Sequence, residues 1–120
     1  MIAGLIMSDK NRFDRIGVRI HDVRHPLWRD ELETIINRAG QRVAYIVLPK
    51  PENAGDVLTQ ITALDELRNR HGIVREIPVH VLIETPGALH EVWEIARLPH
   101  VEVLDFGLMD FVSAHHGAIP

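Results

Sequence analysis

Glu84 closes the apolar run "VHVLI" and precedes "TPG", and Asp110 follows "DFGLM". Two hard carboxylate ligands with no cysteine nearby suit Mg²⁺ or Mn²⁺ rather than zinc. Mg²⁺ keeps several waters and takes one or two protein carboxylates, so this pair is enough. The competing reading gives each acid to the positive end of a helix, and spacing alone favours it. Arg19 sits inside the apolar "GVRI", a costly place for a guanidinium unless it is paired. It is either a bidentate clamp on a substrate carboxylate or phosphate or half of an ion pair, and the residues leave both open. Lys50, in "LPKPEN", is a second positive group at a strand end or an ordinary loop lysine, the commoner case. Gly87 and Gly107 permit close backbone approach. The N–H groups of Gly87 and Ala88, at a helix start, could hold an anion.

Other spacings carry less. His21 and His25 have HxxxH spacing, but Pro26 follows, and without a helix the two rings are not placed on one face to share a metal. His115 and His116 are adjacent, a spacing expected to send the two rings apart. Neither GxSxG nor a Walker phosphate loop occurs.

These residues need elements to position them. Four segments read as buried strands: 16–20 "IGVRI", 43–48 "VAYIVL", 79–84 "VHVLIE" and 101–107 "VEVLDFG". Most are continuous apolar runs, as expected of strands covered on both faces. Between them, Leu32, Ile35, Ile36 and Ala39 form one helical stripe ending near Gly40. Val57, Ile61, Leu64 and Leu67 form a second, capped by Asn53 and followed by Gly72. Leu89, Val92, Ile95 and Ala96 form a third, with Pro86 in its first turn. The order β-α-β-α-β-α-β predicts an α/β fold of parallel βα repeats, either doubly wound or part of a (β/α)8 barrel. In both, ligands bind at the carboxyl ends of the strands, where Arg19, Lys50, Glu84 and Asp110 fall.

A chain of 120 residues with 46% hydrophobic and 25% charged residues is sized for one globular domain. Its net charge of −4, with scattered positive residues, points away from nucleic acid. No run approaches the roughly 20 apolar residues that span a bilayer. The absence of cysteine excludes disulfides and fits a cytoplasmic location.

Taken in order, "VRIHD", "YIVLPKPENAGDV", "HVLIETPGALHEVWEIA" and "VEVLDFGLMDFVSAHHGAIP" resemble the citrate lyase β-subunit-like branch of the HpcH/HpaI aldolase family. The resemblance implies a (β/α)8 barrel that cleaves or forms carbon–carbon bonds in hydroxy-acyl thioesters of coenzyme A or a related carrier. It implies a divalent metal, usually Mg²⁺, on Glu84 and Asp110, substrate binding by Arg19, and a role for Lys50 of the "PK" motif. His21 departs from the asparagine common in the family, and Pro86 is inserted between the metal-binding acid and its glycine. Such a barrel needs about 250 residues, so residues 1–120 are expected to form a single partial-barrel domain matching its third to sixth strands. Four of eight strands leave two open sheet edges, which predicts pairing with a second copy or a complementary half. The alternatives are an inert scaffold of the same fold and a doubly wound module binding a phosphorylated ligand.

Overall fold

The computed structural model describes residues 2–8 and 14–107. The elements are α1 (Ile2–Ile6), β1 (Val18–Arg19), α2 (Trp28–Ala39), β2 (Ile46–Leu48), α3 (Ala54–Arg70), β3 (Val79–Ile83), α4 (Pro86–His90), α5 (Val92–Ala96) and β4 (Val101–Phe106). The strands form one parallel sheet in the order β1-β2-β3-β4. Each strand therefore lies beside the next in sequence. A doubly wound sheet reverses its order at a switch point, whereas a barrel advances without reversal. The observed order is that of a barrel segment.

Helices α2 and α3 form on the faces their sequences mark. Leu32, Ile35, Ile36 and Ala39 of α2 are buried, as are Val57, Ile61, Leu64 and Leu67 of α3. Asn53 caps α3 by accepting the Asp56 N–H at 2.8 Å. Gly72 lies just past its end with φ +68°, a conformation that glycine adopts without steric cost. Gly40 ends α2 for a different reason. Its φ is an ordinary −60°, but a Cβ there would lie 2.5 Å from the Ile36 carbonyl oxygen.

Three expectations need correction. The strands are shorter than their apolar runs, most of all β1, because only the hydrogen-bonded centre of each run joins the ladder. They are also not covered on both faces. In β3, Val79, Val81 and Ile83 are buried while His80 and Leu82 are only half-buried. Register sets Leu82 beside Asp105 of the exposed β4. Among the described residues one sheet face carries the helices; the other, with Arg19, Tyr45, His80 and Asp105, is the concave side of a partial barrel. Finally, the third helical stripe is two helices, α4 and α5, that meet at Glu91. The Glu91 carboxylate accepts the N–H of Ala54 at the start of α3, 3.0 Å away. The backbone breaks there (φ −104°, ψ 23°), and Leu89 and Ala96 are left exposed.

Candidate active site

Arg19 ends β1, Lys50 follows β2 and Glu84 follows β3. Because the strands are parallel and in sequential order, all three reach the same carboxyl-end rim. Arg19 and Lys50 line one cleft of about 350 Å³ together with Ile20, His21, Asp22 and Pro49. Both cations are exposed. Among the described residues no ion-pair partner is found for Arg19.

Lys50 contributes its backbone as well as its charge. Its φ is +48°, an uncommon conformation for a residue with a side chain and one that costs energy unless the surroundings impose it. The consequence is visible at Glu84. The Lys50 N–H donates to Glu84 Oε2 at 3.1 Å, which ties the β2–α3 loop to the acid at the end of β3.

Gly107 completes the cradle. Its N–H donates to the Ile83 carbonyl at 3.1 Å, bringing the end of β4 against Glu84. A Cβ at position 107 would lie 2.9 Å from Glu84 Cγ and 3.5 Å from Oε1. The Glu84 carboxylate thus occupies space that only a glycine leaves clear. A half-buried carboxylate at an open rim is a hard oxygen donor of the kind Mg²⁺ takes. Asp110 and the paired histidines His115 and His116 lie outside the described residues.

The loop beneath the rim is clamped. Thr85 Oγ1 donates to the Pro51 carbonyl at 2.7 Å and accepts the Ala88 N–H at 3.1 Å. That cap corrects one expectation: the fully buried Ala88 has its N–H engaged and is not a free anion donor. Gly87 is required for packing, because a Cβ there would come within 2.1 Å of the Glu52 carbonyl oxygen. On the neighbouring loop, Arg24 Nη2 lies 2.6 Å from Asp56 Oδ2, and this hydrogen bond raises the Arg24 pKa above its ordinary value. The same Asp56 oxygen accepts the Glu52 N–H at 2.9 Å. Both loops that border the cleft are therefore fastened to the start of α3.

His21, beside Arg19 and Ile20 in "VRIH" at the same strand end, lines this cleft as well.

The HpcH/HpaI aldolase/citrate lyase family matches residues 5–117. The chain belongs to this family. Among curated members, it is 26% identical over 100 residues to an L-malyl-CoA/β-methylmalyl-CoA lyase of Cereibacter sphaeroides, covering 82% of this chain and 31% of that protein. It is 30% identical over 100 residues to a malyl-CoA/β-methylmalyl-CoA/citramalyl-CoA lyase of Chloroflexus aurantiacus, with coverages of 82% and 29%. A crystal structure of a citrate lyase from Burkholderia xenovorans superposes with a TM-score of 0.94 at 48% identity, covering 99% of this chain and 37% of that one. The CitE protein of Mycobacterium tuberculosis, solved with magnesium and acetoacetate, shares the fold (TM-score 0.59, 22% identity, 85% of this chain and 36% of that one). This member of the HpcH/HpaI family spans about a third of the length of those relatives.

Proposed function

We propose that this chain carries the metal-binding and acyl-binding rim of a carbon–carbon lyase acting on β-hydroxyacyl thioesters of coenzyme A or a related carrier, of the malyl, citramalyl or citryl type. The observation that carries the reading is the convergence on one rim of Arg19, the Lys50 loop and the Glu84 carboxylate. Membership of a lyase family supports it, as do relatives named for malyl-CoA.

In this reading Glu84 and Asp110 hold Mg²⁺, with Mn²⁺ able to replace it. Gly107 keeps the Glu84 side chain clear, and the Lys50 N–H fixes its rotamer. Bound there, the ion supplies Lewis-acid polarisation of the carbonyl that forms on cleavage. Arg19 grips the substrate's carboxylate through its planar fork. Lys50 adds positive potential at the same rim, where negative charge develops. Gly87 shapes the loop, and in this reading its N–H is the remaining backbone donor toward the substrate. The remaining parts of the reading are a cytoplasmic enzyme and a homo-oligomer, with the β1 and β4 edges that are open among the described residues as the pairing surfaces. Among the described residues no helix is long and apolar enough to cross a membrane.

The test is Mg²⁺-dependent cleavage of malyl-CoA to an oxo acid and an acyl-CoA, measured for wild type and Glu84→Gln. Cleavage by wild type that is lost in the variant is the expected result. Mg²⁺ binding without any cleavage would favour the second reading, a scaffold that keeps the rim and not the reaction.

A further inference from the structure

Among the described residues the sheet has two edges without a ladder partner, β1 on one side and β4 on the other. The helical layer ends at the same two places. α1, which precedes β1, packs against α2, and α5 packs against α3 and β4. Large apolar side chains are exposed at both ends. Ile2, Leu5 and Met7 of α1 are each 44% exposed, and at the other end Trp93 is 73% and Phe106 54% exposed. The concave face is open as well. Val103 is 40% exposed and Leu82 only half-buried, whereas the interior of a (β/α)8 barrel is a packed core.

Charge is complementary between the two edges. Arg19 is exposed on β1, and β4 exposes Glu102 and Asp105. Glu102 is engaged by His80 at 2.9 Å. Asp105 stands on the concave side, as Arg19 does. Neighbouring strands keep their concave-side residues level: Arg19 pairs with Val47, Val47 with His80, and His80 with Val103. A further parallel strand beside β4 therefore sets one of its concave-side residues next to Val103 or Asp105. On β1 that residue is Arg19.

We infer that a second copy of this chain occupies both ends, arranged head to tail. β4 pairs in parallel with the partner's β1, and the partner's β4 pairs with β1. Two sets of four sequential strands make the eight at which a parallel βα barrel closes, about a two-fold axis along the barrel. A head-to-tail contact that closes in this way leaves no edge open. Each seam sets Arg19 beside the partner's Asp105 and lays α1 against the partner's α5. The carboxyl end of the partner's β4 then walls the cleft of Arg19 and Lys50, so each candidate site is completed by the other copy. Pairing β4 with the partner's β4 sets Asp105 against its own copy and leaves both β1 edges bare. The inference rests on the homo-oligomer reading above and gives it a geometry.

Charge exchange on the full chain tests the seam by sedimentation velocity, with far-ultraviolet circular dichroism checking that each variant is folded. Wild type is expected to be a dimer. Arg19→Asp and Asp105→Arg each place like charges across both seams, and each should raise the dimer Kd at least about 10²-fold. Mixing the two variants restores opposite charges at both seams and should restore the dimer. The double variant Arg19→Asp/Asp105→Arg should dimerise by itself, and it decides the matter if a single variant fails to fold. An Arg19→Asp variant that dimerises as tightly as wild type, or a double variant that stays monomeric, overturns the ring while leaving other edge pairing standing, since a contact between two β4 strands does not touch Arg19. A folded wild-type monomer at high concentration overturns the ring and the homo-oligomer reading together.

Discussion

Substituting alanine at Gly87 and at Gly4 makes the same chemical change and should move stability in opposite directions. At Gly87 the new Cβ would sit 2.1 Å from the Glu52 carbonyl oxygen. The obstacle is backbone, so relief requires moving α4 or the Pro51–Glu52 loop by about 1 Å. Overpacking of this kind costs about 1–3 kcal/mol. Moving either side also stretches the 2.7 Å bond from Thr85 Oγ1 to the Pro51 carbonyl, a further ~1 kcal/mol. The sum is about 2–4 kcal/mol, or roughly 1–3 M in urea midpoint at a slope near 1.5 kcal/mol per M. At Gly4, in α1, nothing lies within 4 Å of an added Cβ, so better helix propensity should stabilise by up to ~1 kcal/mol. Urea unfolding followed by far-ultraviolet circular dichroism measures both. The Gly87 variant should also bind Mg²⁺ more weakly, since the displaced loop carries the Lys50 N–H that holds Glu84. A Gly87→Ala midpoint within ~0.3 M of wild type would refute the close-packed loop.

Arg19→Lys should leave the unfolding midpoint unchanged within about 0.5 kcal/mol, since among the described residues Arg19 has no ion-pair partner, while raising KM for malyl-CoA at least about tenfold; a destabilised variant with intact KM would favour the ion-pair reading. Stability should depend on pH through His100, whose Nδ1 is 2.6 Å from Glu76 Oε1 and Nε2 3.0 Å from Asp65 Oδ1. Burial lowers its pKa, but the bonds to Glu76 and Asp65 outweigh it and raise the folded value above the ordinary 6.5. The contribution is therefore full below the unfolded value of about 6.5 and is lost as pH rises through the higher folded value. His100→Gln should flatten that alkaline loss, and an unchanged pH profile would contradict the bridge. Sedimentation should find a self-associated species, since β1 and β4 are open edges among the described residues; a well-folded monomer at high concentration would dismiss edge pairing.

The parts of the fold legible in the sequence were those set by local pattern. The stripes of α2 and α3 are periodic, and α3 is capped locally by Asn53, so every apolar position named for them is buried. The third stripe failed because its break at Glu91 is caused by Ala54, 37 residues away in sequence. Periodicity holds no trace of such a contact. α1 was missed for a related reason, being only five residues long. In the site, residue type and strand-end position were enough to put Arg19, Lys50 and Glu84 on one rim. What they could not supply was backbone geometry: the positive φ that turns the Lys50 N–H onto Glu84, or the capping bond that removes Ala88. The strand-end place of His21 is legible, but its partners Glu31, Gln60 and His25 share no motif with it.

The central claim is that the rim built around Glu84 is a divalent-metal site. Anomalous diffraction from crystals soaked in Mn²⁺ tests it most directly. The account predicts one strong peak about 2.0–2.2 Å from a Glu84 carboxylate oxygen, with Asp110 as the second protein ligand, and its loss in Glu84→Gln. A fully occupied Mn²⁺ elsewhere with none at Glu84, or a peak that survives in Glu84→Gln, would contradict it.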